Sequence, residues 1–223
     1  FPFRQEQLTI IPNGIEGPPD LLRPAFNLRQ TLGIPQEFFI VVAVAWLISI
    51  KGIHLLLQSL PRVLQAGAGN VAVVLAGDGP ERPQLEALAE SLDVQGNVFF
   101  LGWCDDVPQL LQQSDLVVVP SIGEEAFSYL TLEAMVAAKP VIASNLGGIP
   151  ELLGGEGCAG VLIPPGDPGS LGQAIVRLMK NPGQRQRLGD EARRRGLTRF
   201  SLDQQIRQLK NTYSSLANPF GKT

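Results

Sequence analysis

From Phe38 onward, short apolar runs alternate with amphipathic segments, and no tight hairpin turn joins one apolar run to the next. The runs are FFIVVAVA at 38–45, VAVVLAG at 71–77, NVFFLG at 97–102, DLVVVPS at 115–121, PVIAS at 140–144 and GVLIP at 160–164. Between them lie segments of helical character: the stretch ending near Gln65, ERPQLEALAESL, VPQLLQQ, Tyr129–Ala138 and Pro150–Leu153. Parallel neighbours need a crossover, usually a helix, so this order predicts a parallel sheet. Val71–Ala76 and Leu116–Val119 are apolar at every position. That suits strands covered on both faces, because a strand with one wet face alternates. The fold class expected is α/β, a doubly wound parallel sheet of Rossmann-like type.

Three stretches follow. Residues 1–35 carry Pro and Gly with one strand-like LTIIP ahead of Asn13-Gly14, and read as an interdomain segment. Residues 36–200 form the sheet domain, closing with helical segments at Leu171–Lys180 and Gly183–Arg195. Residues 201–223 form a C-terminal helix, packed by one edge, and a tail.

A chain of 223 residues, 44% of them hydrophobic, can bury one large core. Its formal charge of -3 gives no global attraction for nucleic acid or an anionic membrane, so any phosphate has to be gripped by local groups. The longest apolar stretch, Phe38–Ile50, falls short of the roughly 20 residues of a spanning helix. FPFRQEQLTI lacks the layout of a secretory signal, and a cytoplasmic location is expected, with any peripheral membrane contact assigned to another domain. Cys104 and Cys158 stand far apart in no Cys-x-x-Cys pattern, which predicts free thiols.

Ligands of an open parallel sheet bind beyond the carboxyl ends of its strands, where helix N-termini present free amides. The first such junction, AWLISIKG, places Lys51 there, either as a phosphate partner or as a solvated lysine near a turn. It supplies no Gly-x-Gly-x-x-Gly turn, which argues against a nicotinamide site. The junction after DLVVVPS holds Glu124 and Glu125 before an apolar-periodic run containing Glu133. Carboxylates suit vicinal hydroxyls, and the amides near Phe127–Leu130 suit a diphosphate. Were every residue from Glu125 to Glu133 helical, the two would lie about 12 Å apart. Taken alone, two such glutamates are as well read as solvated helix-end acids. His54, the sole histidine, reads as a capping or half-buried residue, and Asp105-Asp106 as a turn or helix cap. Met135 reads as core.

The stretch PSIGEEAFSYLTLEAMVAAKPVIASNLGGIPE, 120–151, resembles the signature block of the family-4 retaining glycosyltransferases, including two glutamates with seven residues between them and a closing Gly-Gly-x-Pro-Glu. Other blocks fall in the family's order: IPNGI at 11–15, Lys51-Gly52, LAGDGPE at 75–81, VFFLGW at 98–103 and GVLIPPGDP at 160–168. The resemblance implies the C-terminal, donor-binding half of a GT-B architecture, with the acceptor on an N-terminal domain not contained here. It implies transfer of a hexose from a nucleoside diphosphate sugar to a glycan, lipid or small acceptor, with retention of configuration and without a metal or other cofactor. Glu125 would meet the donor sugar as the catalytic residue, Glu133 the ribose and Lys51 the diphosphate. Phe127, Ser128, Tyr129 and Leu130 would line the phosphates, Gly102 and Trp103 would offer backbone to the base, and Gly77 and Gly79 would keep a loop close to the ligand.

Two departures stand out. Where the family usually has Gly-Arg-Leu, this chain has Ala45-Trp46-Leu47, and a guanidinium for the diphosphate is missing. Trp46 reads as a core or interface residue, with stacking on a ligand as the alternative. Ser128 replaces a common glycine and would either cap the helix or crowd the phosphates. These departures, and the presence of one domain only, keep open a second reading: a module that holds a nucleotide sugar or a partner without turnover.

Overall fold

The computed structural model describes residues 8–17, 27–67, 70–123, 125–155 and 157–217. Six strands, β1 (Phe39–Val44), β2 (Val71–Ala76), β3 (Val98–Gly102), β4 (Leu116–Val119), β5 (Val141–Ser144) and β6 (Val161–Ile163), form one sheet in the order β3-β2-β1-β4-β5-β6. Every pairing is parallel, with Val41 beside Leu116 where β1 meets β4. The strand order reverses between β1 and β4, and the connections leaving these two strands diverge, opening a crevice beyond their carboxyl ends.

Successive residues of β1 face opposite sides and both sides are buried. Val41 and Ala43 join Leu56 and Leu60 of α2 (Ile53–Gly67), Leu85 of α3 (Arg82–Ser91) and Ile175 of α7 (Pro168–Lys180). Ile40 and Val42 join Leu28 of α1 (Leu28–Leu32), Leu110 of α4 (Val107–Gln112), Met135 of α5 (Tyr129–Val136), Leu152 of α6 (Ile149–Leu153) and Ala192 of α8 (Pro182–Arg199). Two helical layers explain why the strands carry no polar alternation. Met135 is core, as its spacing predicts.

The differences from expectation lie at element ends and in the segment 1–35. α7 begins at Pro168, ahead of Leu171, because the Asp167 side chain accepts the Ser170 amide at 3.0 Å and proline suits the first helical position. α8 begins at Pro182 and runs on to Arg199, with Asn181 as its cap. Within the segment 1–35, Asn27 caps the short α1, and Leu28 and Ile34 are buried in the core. LTIIP, at 8–12, forms no strand: an apolar run becomes one only beside a pairing partner, and the bridge nearby, Ile15 to Ser201, falls beyond the run. Phe1–Gln7 and Pro18–Phe26 lie outside the described residues.

α9 (Leu202–Ala217), expected to pack by one edge, has no buried residue over 202–216 and is tied to the early chain at its start by Ile15, whose backbone bonds Phe200 and Leu202 at 2.9 Å each. It carries Ile206, Leu209, Tyr213 and Leu216, an exposed apolar stripe at helical spacing. No helix among the described residues is long and apolar enough to cross a membrane.

Candidate functional site

A cleft of about 250 Å³ opens at the reversal point. Its walls are the end of β1 with Trp46 and Lys51, the end of β4 with Pro120 and Ser121, and the approach to α5 with Glu125, Phe127, Ser128, Tyr129 and Leu130. Lys51 ends a 3-10 turn, Ser49–Lys51, closed by Gly52 at φ 66°. Glycine is required there twice over, since the left-handed backbone disfavours a side chain and a β-carbon would run into the Pro120 carbonyl. The amides of Ile122 and Gly123 donate to the Ile50 carbonyl at 2.8 and 3.2 Å. The loops after β1 and β4 are therefore clamped together, and the clamp brings Lys51 against Glu125.

The Lys51 ammonium donates to both Glu125 carboxylate oxygens, at 3.1 and 2.9 Å. The Ser121 hydroxyl, 1% exposed, donates to Oε2 of the same carboxylate at 2.9 Å. Among the described residues lining the cleft, Lys51 and Glu125 are the only charged ones, and no arginine is present. Glu124 lies outside the described residues. Ser121 was not singled out from the sequence. A serine directly after a buried strand in the signature block was the available signal.

Ser128 caps α5: its hydroxyl accepts the Thr131 amide at 3.3 Å and the Thr131 hydroxyl at 2.9 Å. Of its two expected roles the structure shows the cap, and the first turn of α5, whose leading amides have no helical partner, forms one wall of the cleft. Phe127 and Tyr129 meet edge to face at 5.1 Å. Trp46 is 64% exposed and lines the cleft, so it is no core residue. Its neighbours hold the main chain on the β2 side, Ala45 N to Ala76 O and Leu47 N to Asp78 O, which leaves the indole in the cleft wall.

Glu133 sits one turn into α5, half-buried, and is not among the lining residues of the cleft. Helix begins only at Tyr129, so the all-helical separation from Glu125 does not hold. Glu133 lies about 6 Å along the axis from the helix start. Burial pushes its carboxyl up from the ordinary range, and no side-chain partner among the described residues offsets that.

Gly77, Gly79, Gly102 and Trp103 also lie outside this cleft, at the ends of β2 and β3. The constraint on Gly77 and Gly79 is packing between loops: β-carbons there would strike the backbone of Ala45 and Leu47. Trp103 is 80% exposed and donates from Nε1 to Asp105 at 2.6 Å, while Asp106 caps α4 through the Gln109 amide at 3.0 Å. His54 is half-buried at the second position of α2. Ile11–Asn13 of the IPNGI block line a neighbouring recess that shares Phe127 with the cleft. Both cysteines are free thiols, Cys104 half-buried and Cys158 exposed.

Comparison with known proteins places these features in a family context. The family model described as glycosyl transferases group 1 matches residues 25–195. An uncharacterised glycosyltransferase of Methanocaldococcus jannaschii is 30% identical over 198 residues, covering 88% of this chain and 50% of that protein. The D-inositol 3-phosphate glycosyltransferase of Corynebacterium urealyticum is 32% identical over 206 residues, covering 89% and 48%. Among solved structures, Anabaena HepE in complex with UDP superposes with a TM-score of 0.78 at 31% identity, covering 84% of this chain and 51% of that one. HepE has also been solved with UDP-glucose. The chain spans about half the length of the curated relatives it matches.

Proposed function

Because the chain belongs to the group 1 glycosyl transferases, we propose that it is the donor-binding half of a retaining hexosyltransferase that draws on a nucleoside diphosphate sugar. One observation carries this reading: Lys51, Glu125 and the first turn of α5 converge on a single cleft at the reversal point of the sheet. A cation and free helix amides suit a diphosphate, and a carboxylate suits sugar hydroxyls. In this reading Glu125 meets the donor sugar and Lys51 the diphosphate. Glu133 takes the ribose hydroxyls, which supply the partners its half-buried carboxylate lacks among the described residues. Protein groups alone neutralise the leaving diphosphate, with no metal. The base reaches toward Gly102 and Trp103.

The acceptor belongs to a further domain in this reading. Its support is the span of the relatives, about twice that of this chain, together with the apolar stripe of α9, a surface suited to cover by another domain. The acceptor is a glycan, lipid or small molecule, and the protein works in the cytoplasm. One observation favours the second reading, a module that holds a nucleotide sugar without turnover: Trp46 stands where the family's guanidinium would be, leaving Lys51 as the one cation lining the cleft among the described residues.

Calorimetry of this chain against UDP, GDP and ADP and their glucose conjugates tests the reading. Binding is expected for one base, weakened by Glu133→Ala. Equal affinity in the two proteins removes the ribose contact, and no binding by any of the six removes the donor site. The chain alone is expected to transfer no sugar, and robust turnover would overturn the assignment of the acceptor to a further domain.

A further inference from the structure

We propose that the Lys51–Glu125 pair makes the cleft select a whole sugar nucleotide over the bare nucleoside diphosphate, an inference that rests on the donor-site reading above. Lys51 spends its charge on both oxygens of Glu125, at 3.1 and 2.9 Å, and these two are the only charged described residues lining the cleft. A diphosphate entering the cleft therefore competes with Glu125 for the ammonium. Once it succeeds, the Glu125 side chain, 13% exposed, keeps only the Ser121 hydroxyl. A shielded carboxylate stripped of its cation is costly.

The two ligands differ in what they return. A hexose on the diphosphate brings hydroxyls that donate to the freed carboxylate, and such charge-assisted bonds are about twice as strong as neutral ones. The bare nucleoside diphosphate brings no hexose hydroxyl, so Glu125 stays unpaired or reclaims Lys51. The same competition acts after transfer, when the sugar has left: Glu125 recaptures the ammonium and loosens the remaining diphosphate. Ser121 is a positioning residue in this scheme. It holds Oε2 in place while the cation is drawn away, through the hydrogen bond that its buried side chain donates at 2.9 Å.

The test measures dissociation constants of UDP and UDP-glucose, with the guanosine and adenosine pairs in parallel, for the native chain, Glu125→Gln and Ser121→Ala. Thermal melts establish that each variant is folded. Glu125→Gln takes the charge from the competitor at nearly constant shape, so the bare diphosphate is expected to bind roughly tenfold tighter, the lower end of one net charged hydrogen bond. The sugar nucleotide, whose hydroxyls then meet a neutral amide oxygen in place of a carboxylate, is expected to gain nothing or to weaken, and the preference for it collapses. Ser121→Ala is expected to reduce the preference by a smaller factor, and it decides the matter should Glu125→Gln fail to fold. An unchanged ratio in folded variants overturns this inference and leaves the donor site standing. No binding of any probe by the native chain overturns both.

Discussion

Gly147 and Glu125 meet backbone to backbone: a β-carbon on Gly147 would collide with the Glu125 carbonyl, to which the Gly148 amide donates at 3.0 Å. The loop that presents the acid is thus seated on the loop after β5, and Gly147, at φ 55°, can occupy that seat only without a side chain. Gly147→Ala is expected to cost about 2–3 kcal/mol, combining backbone strain with the collision. At this chain length that lowers the melting temperature by roughly 2–4 °C per kcal/mol. Binding of UDP-glucose should weaken in the same variant, measured by calorimetry below its melting temperature. An unchanged melt would show that the loops part without cost.

Trp46 occupies a cleft wall that carries a single cation among its described residues. Trp46→Arg is expected to strengthen UDP binding by roughly tenfold, as a new charge-assisted contact contributes about 1.5–3 kcal/mol against the cost of ordering the side chain. The gain should shrink as salt is raised. Titrations at two salt concentrations check both statements, and weaker binding by the arginine variant would mean that the indole face is itself a ligand contact.

Burial pushes the Glu133 carboxyl above its ordinary value of 4.5. Between that value and the raised one, the native state holds more protons than the unfolded chain, so stability falls as pH rises through this window. Above it the full penalty stands. Glu133→Gln removes the penalty and is expected to melt higher than the native chain at pH 7. The gap should close as pH drops below 4.5, where the native carboxyl is protonated in both states. The same variant should bind UDP-glucose more weakly, the stability–function exchange expected of a ligand-binding acid. Equal melting at pH 7 would show that burial carries no cost here.

The two thiols should react at different rates. Burial, together with the charges of Asp106 and Asp105, pushes the Cys104 thiol up, outweighing a hydrogen bond from the Asp106 backbone. Cys158 is exposed. Since the thiolate is the nucleophile, maleimide at pH 7 is expected to label Cys158 first, with the gap narrowing as pH rises. Peptide mapping by mass spectrometry reads the order, and equal labelling would mean that the Cys104 region opens freely.

Much of the site was legible locally. Six apolar runs announced six strands, most plainly where β2 and β4 are buried at every position; the edge strand β3 is largely half-buried. The Asp106 cap, the core role of Met135 and the placing of Lys51 beyond the first strand also follow from residues within a few positions of each. Ser128 was narrowed to two roles, and the choice between them depended on where Thr131 directs its amide and hydroxyl.

What a linear pattern cannot carry is a relation between distant segments. Lys51 and Glu125 are 74 residues apart, and they pair because β1 and β4 lie side by side, an outcome of how the whole sheet packs its two helical layers. Ser121, Gly147 and the exposed indole of Trp46 acquire their roles only within that packing. Trp46, an apolar residue that by composition belongs inside, lines the cleft because Ala45 and Leu47 bind their backbone to the β2 side. The sequence alone determined the six strands of the sheet and which chemistry gathers at their ends, since those depend on local composition and capping, whereas LTIIP and α1 were settled by what the folded chain sets beside them. Tertiary structure decided which charges neutralise one another, since that depends on distance in space.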